Sequence, residues 1–142
     1  MRVHGESASA TRLNLTSGKF KLVIDEPESM GGTDAGPTPV QVLLMALAGC
    51  LNVTGHFVAQ QQGIKLQGMK IVLEGNLNPA AFMGMSDAER AGFQGIHVTI
   101  TADAPDATDA ELQAWIAETE RRCPVTDNIR AATDIAIQVN RA

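Results

Sequence analysis

Thr38-Pro39-Val40-Gln41-Val42-Leu43-Leu44-Met45-Ala46-Leu47-Ala48-Gly49-Cys50-Leu51 is the stretch whose reading settles the architecture. Threonine is a good helix N-cap, and proline at the first helical position sacrifices nothing, because that N–H has no intrahelical acceptor. Apolar character continues past Cys50 and Gly63 offers a stop, so the spacing predicts a helix from Thr38-Pro39 to about Gln61. Its apolar side chains surround the whole circumference instead of forming one stripe. Such a helix must be covered on every side. A chain of 142 residues gives little cover, and a second subunit is expected to supply part of it. Val40 to Ala59 is also the one segment to weigh as a membrane span. Gln41, Asn52, Thr54 and His56 interrupt it, and its purely apolar run of about ten residues is half the roughly 20 a bilayer requires. A core helix is the expectation, with no membrane partner.

On the N-terminal side, Arg12-Leu13-Asn14-Leu15-Thr16 alternates apolar and polar residues, Ser17-Gly18 turns, and Lys19-Phe20-Lys21-Leu22-Val23-Ile24 alternates again. That is a hairpin signal. A strand within Val3 to Ala10 would precede it. Residues 25–37 carry glycines and two prolines and read as a loop without regular structure. On the C-terminal side, residues 64–77 predict a strand clearest at Lys70–Glu74, and residues 96–101 predict another. Between them a short helix is expected after Ser86, with Glu89 as capping-box partner. Thr108-Asp109-Ala110-Glu111 is a second capping box and opens a helix to about Glu120. Pro124 to Arg130 forms a further short helix, and Asp134 to Val139 alternates as a closing strand. This order, without βαβ repetition, is an α+β domain covering residues 1–142.

Composition narrows the function classes. A net charge of −5 with pI near 5.1 argues against a phosphate-backbone partner. Four Phe, one Trp and no Tyr leave little surface for stacking bases. No nucleic-acid role is expected. Met1-Arg2-Val3-His4-Gly5-Glu6 leads into polar residues, so no export signal is expected and the protein reads as cytoplasmic. Two cysteines in a reducing compartment imply thiol chemistry or plain burial before a permanent disulfide.

The motifs exclude more than they assign. Cys50, Cys123, His4, His56 and His97 lack metal-ligand spacing, so no metal or other cofactor is expected. Gly31-Gly32-Thr33-Asp34-Ala35-Gly36 has neither the lysine of a P-loop nor dinucleotide-site spacing, and reads as a tight connector. The thiols remain. Cys123 follows Arg121-Arg122 and stands where the Pro124 helix would be N-capped, two features that can stabilise a thiolate. Cys50 sits in apolar surroundings, which by themselves keep a thiol protonated. From spacing alone the pair is either a working dithiol or two buried cysteines.

Asp25-Glu26-Pro27, the Gly31–Pro39 stretch and Ala46-Leu47-Ala48-Gly49-Cys50 resemble the OsmC/Ohr family of osmotically inducible and organic-hydroperoxide-resistance proteins. Arg122-Cys123-Pro124-Val125 followed by Asn128-Ile129 is similar to that family's second cysteine motif. The resemblance implies an OsmC-like fold, an intertwined homodimer with long buried central helices wrapped by antiparallel sheets. It also implies a cysteine-based hydroperoxide reductase serving oxidative-stress defence. In that chemistry Cys50 becomes a sulfenic acid, Cys123 condenses with it to a disulfide, and a dithiol reductant restores both thiols. Organic hydroperoxides would be preferred to hydrogen peroxide.

The family's well-studied peroxidases place a glutamate nine or ten residues before the reactive cysteine, where it holds an activating arginine. Here those positions are Val40 and Gln41. Gln41 can accept a hydrogen bond from an arginine but brings no charge. No arginine occurs from Thr16 through Gln60, and Arg12, on a strand, is the candidate activator. The chain thus resembles the broader OsmC-like branch. The alternative reading is an OsmC-like dimer without peroxidase activity, acting as a small-molecule binder or thiol carrier.

Overall fold

Period-2 patterning in the first 24 residues produces three antiparallel strands in the order β1 (His4–Ser7), β2 (Leu13–Ser17) and β3 (Phe20–Ile24). Leu15 stands opposite Leu22 and Leu13 opposite Ile24. The computed structural model describes residues 1–141. Two compact units divide the chain, one of residues 1–46 and one from Leu47 onward.

The N-terminal unit is organised by Asp25, which has no exposed surface. Its Oδ2 accepts from the Thr33 hydroxyl at 2.6 Å, the Thr33 N–H at 3.0 Å and the Ala35 N–H at 3.3 Å, while Oδ1 accepts from the Glu26 N–H at 2.9 Å. The loop is therefore ordered without being regular, apart from one 3₁₀ turn over Glu28–Met30. Its glycines serve close approach: a Cβ on Gly32 would lie 1.7 Å from the Glu26 oxygen, and one on Gly36 would lie 2.1 Å from the Val23 oxygen. The stretch is a connector folded on an acidic hub.

The Thr33 hydroxyl, against the opposing effect of burial and with help from the Glu26 N–H and Thr11, holds the Asp25 carboxyl well below the usual carboxylate range. A depressed folded-state pKa contributes stability that is complete above the unfolded value of 3.8 and is lost as pH falls through the folded value. Wild-type stability is therefore expected to fall between about pH 5 and about pH 2, and Asp25→Asn is expected to be weaker at neutral pH and to lack this acid-side slope. Urea midpoints across that range check it; parallel slopes for the two proteins would remove Asp25 from the account.

Helix α1 runs Pro39–Gln62, with Gly63 in the left-handed region at φ 73° as its stop. Beyond it, β4 (Gly68–Asn76) pairs antiparallel with β5 (Gly95–Asp103), Ile71 facing Ile100 and Leu73 facing Val98. Helices α3 (Asp109–Arg122) and α4 (Pro124–Arg130) follow. Thr108 and Glu111 form the reciprocal capping box that the sequence announces. Within this unit one face of α1 is buried through Leu47, Leu51, Gly55, Val58 and Ala59. The sheet and α3 cover that face, with Trp115 donating its indole N–H to the Gly55 oxygen at 2.8 Å.

Two expectations need correcting. The short helix before β5 is α2, Pro79–Phe82, capped by Asn78, and residues 86–89 are not helical. Glu89 instead accepts from the Asn78 side chain at 2.7 Å, so the partner assigned to a local cap is drawn to a residue eleven positions away. The closing strand expected over 134–139 does not form among the described residues. Ile135, Ile137 and Val139 are 81%, 88% and 87% exposed. Alternation makes a strand only where a sheet edge receives it. Helix α1 is left partly uncovered by its own chain, where Met45, Val53 and Phe57 are exposed. It is long and apolar enough to cross a membrane, with a mean hydropathy of 1.8 over its most apolar window.

Candidate functional site

The unit from Leu47 onward brings its two cysteines together. Cys50 projects from α1, and Cys123 stands at the junction where α3 ends and α4 begins. Pro124, at the first position of α4, forces that junction by ending one helix and opening the next. The sulfurs share one apolar cluster with Leu47 and Leu51, walled by Ile71, Leu73, Val98 and Ile129. Both are free thiols. Cys123 has no exposed surface, whereas Cys50 is partly exposed.

Their electrostatics differ. Burial pushes the Cys50 thiol up, and the neighbouring Cys123 adds to this, against the Val125 N–H and the Thr54 hydroxyl, which favour the thiolate. Burial works against the Cys123 thiolate too. There the Thr126 hydroxyl and N–H, the Cys50 thiol and the Val125 N–H outweigh it, and the Cys123 pKa lies below the ordinary thiol value. Cys123 makes no side-chain capping hydrogen bond to α4.

The arginines next to Cys123 do not supply its stabilisation. Arg121 forks Glu118 at 2.7 and 2.8 Å. Arg122 donates to Gln61 at 2.5 Å and lies 5.3 Å from the Phe57 ring. Arg130 pairs with Glu120. Of the two thiolate-favouring features read from the sequence, the N-cap position is occupied by Cys123 and the cationic one is spent elsewhere.

Arg12 and Gln41 belong to the N-terminal unit. The Arg12 Nε is buried without a hydrogen-bond partner. The Gln41 oxygen accepts from the Thr38 N–H at 2.8 Å, and the Gln41 N–H reaches the Thr38 hydroxyl at 3.4 Å. Gln41 is thus the reciprocal half of the capping box that starts α1. Sequence reasoning passed over Thr54 and Thr126. Both had a signal: Thr54 is one helical turn after Cys50, and Thr126 is at the third position of a helix whose N-cap is Cys123, where cap and backbone meet.

A cavity of about 490 Å³ adjoins the cysteine cluster, lined by Leu47, Leu51, Ile96, Ile116, Thr126 and Arg130 among others. That volume is in the range of small-molecule sites, and the walls are mainly apolar. Among the described residues no three His, Cys, Asp or Glu side chains gather as a metal site.

The fold recurs in solved structures. An OsmC-like protein from Mycoplasma pneumoniae superimposes with a TM-score of 0.78 at 18% identity, covering 91% of this chain and 86% of that one. An organic hydroperoxide resistance protein OsmC from Legionella pneumophila, described as a predicted redox protein, gives 0.66 at 22% identity, covering 91% and 88%. The organic hydroperoxide resistance protein OhrB of Bacillus subtilis gives 0.60 at 21% identity, covering 91% and 89%. No curated protein matches the chain significantly in sequence. The sequence model described as OsmC-like protein matches residues 32–138, a span that holds α1, both sheet strands of the second unit and both cysteines. The chain belongs to the OsmC-like protein family.

Proposed function

We propose that this protein is a thiol-dependent peroxidase that reduces hydroperoxides, organic ones above all, as part of oxidative-stress defence. One observation carries the reading: a partly exposed cysteine packed against a fully buried one in a single apolar cluster. The Cys50 sulfur would attack the terminal peroxide oxygen, breaking the O–O bond and releasing an alcohol. The sulfenic acid formed would condense with Cys123, losing water and leaving a disulfide that a dithiol reductant reopens by exchange. The apolar cavity suits a bulky alkyl hydroperoxide better than hydrogen peroxide. The fold neighbours described as organic hydroperoxide resistance proteins lend support. A reducing, cytoplasmic setting would keep both thiols free between turnovers.

The working unit in this reading is a homodimer. The exposed apolar face of α1 and the unpaired apolar tail at Ile135, Ile137 and Val139 are surface that water disfavours. A second copy would cover both.

One equivalent of cumene hydroperoxide is expected to oxidise the reduced protein to a Cys50–Cys123 disulfide, with the loss of two free thiols per chain and the release of one equivalent of alcohol. Peptide mapping and thiol counting read this out. Thiols that survive excess hydroperoxide would sink the proposal. A second reading, a small-molecule binder or thiol carrier on the same scaffold, draws on the cavity together with the engagement of Arg121, Arg122 and Arg130 away from the sulfurs. It predicts surviving thiols and a lipophilic ligand retained in native mass spectrometry.

A further inference from the structure

We propose that the apolar cavity beside β5 is the seat of the segment Asp134–Val139 of a second copy, which enters as a strand along the free edge of β5. The exchange rests on the homodimer reading above and is independent of the peroxidase.

The cavity occupies the place of an absent strand. Ile96, Val98 and Ile100, inward residues of β5, line it, and no residue of β4 does. It therefore lies on the side of β5 away from β4, where no strand pairs among the described residues. Helix α3 closes it with Ile116 and α4 with Ile129. A free edge carries a row of N–H and C=O groups ready to pair with an added chain. The segment has the matching pattern. Ile135, Ile137 and Val139 fall on one side of an extended chain with the same two-residue spacing as Ile96, Val98 and Ile100, and Asp134, Ala136 and Gln138 fall on the other. Seated beside β5, the segment buries three aliphatic side chains that are exposed in the single chain. Its polar side then continues the outer face of His97, Thr99 and Thr101.

The origin of the segment points to a second copy. The Thr133 hydroxyl donates to the Asn128 side-chain oxygen at 3.0 Å. The α4 residues on the cavity are Thr126, Ile129 and Arg130. With 3.6 residues per turn, Asn128 stands roughly 160° around α4 from Thr126. The chain thus leaves α4 on the face turned away from its own cavity, and Asp134 follows directly. Exchange between two copies related by a two-fold axis fills both cavities and leaves no open end. It also brings the partner to the cysteines, because Leu47 and Leu51 border the cavity and belong to the cluster that holds Cys50 and Cys123. The space left for a hydroperoxide there is then shaped by both chains.

The test is a disulfide between two chains in a Cys50→Ser, Cys123→Ser background, with no hydroperoxide present. One chain carries Gln138→Cys. The other, co-expressed with a different tag, carries His97→Cys, Thr99→Cys or Thr101→Cys, three exposed positions that scan the register. Adjacent strands bring same-face Cβ atoms to about 5 Å, near disulfide reach. Mild oxidation is expected to join the differently tagged chains at one or more of these positions, and not when the second chain carries Lys70→Cys on β4. A second measurement uses Ile137→Asp, which places a charge in the apolar seat. The variant is expected to dissociate at concentrations where light scattering finds wild type dimeric, and to bind several-fold more anilinonaphthalene sulfonate. A disulfide formed only within one doubly substituted chain would seat the segment in its own cavity and overturn the exchange. No disulfide at any β5 position, or an Ile137→Asp protein that matches wild type in both assembly and dye binding, would overturn the seat. A monomeric wild type would remove the exchange and the homodimer together. Exchanged segments in a protein that consumes no hydroperoxide would uphold the seat and remove only the peroxidase.

Discussion

Cys50→Ser is expected to lose cumene hydroperoxide turnover by on the order of a thousandfold, down to the uncatalysed background. A serine hydroxyl in the same apolar cluster has no accessible anion and does not form a sulfenic acid. Cys123→Ser is expected to behave differently. Its Cys50 still turns over one equivalent of hydroperoxide, and the sulfenic acid, with no partner thiol to condense with, persists long enough to be trapped by dimedone and seen by mass spectrometry. Steady-state consumption with a dithiol then slows, because the reductant must reach Cys50 directly. The asymmetry follows from exposure, since Cys50 has solvent access and Cys123 has none. Dimedone adduct on Cys123 in the Cys50→Ser protein, with turnover retained, would reverse the two roles.

The largest stability effect is expected at Trp115. It is 2% exposed, packs with Val58 and Ala59, and donates its indole N–H to the Gly55 oxygen at 2.8 Å. Trp115→Ala removes the largest side chain joining α3 to α1 and is expected to cost about 3–5 kcal/mol. Trp115→Phe keeps most of the apolar volume and removes only the indole bond, since the mid-helix Gly55 carbonyl keeps its intrahelical donor, at roughly 0.5–1.5 kcal/mol. Urea denaturation at constant m-value measures both. If Phe proved as costly as Ala, the hydrogen bond rather than packing would dominate the joint. The approach is close enough that a Cβ on Gly55 would come within 3.1 Å of the Trp115 ring, which explains a glycine in the middle of a helix.

Where local chemistry settles a conformation, the residues announce it. Thr38, Pro39 and Gly63 bound α1 within a residue of expectation. The Thr108–Glu111 capping box opens α3, and Pro124 restarts the chain as α4. Where the deciding partner is remote, the reading slips. Ser86 and Glu89 form a plausible cap on paper, yet Glu89 is held by Asn78, and Phe93 lies so close over Gly75 that a Cβ there would come within 2.7 Å of its ring. The 134–139 tail alternates correctly, but no sheet edge in its own chain receives it.

The site divides in the same way. Sequence alone determined that two cysteines sit in distinctive contexts, Ala46-Leu47-Ala48-Gly49-Cys50 and Arg122-Cys123-Pro124-Val125, and its resemblance to the OsmC/Ohr peroxidases that Val40 and Gln41 stand where those carry a glutamate. Those are properties of neighbours along the chain. Tertiary structure alone decided that the two cysteines join one apolar cluster, which of them is buried, and that Arg121 and Arg122 turn to Glu118 and Gln61. A thiol's ionisation is set by the dielectric and the dipoles within a few ångströms of sulfur. Those come from α1, α3 and α4 packed together, from residues more than 70 positions apart in the chain.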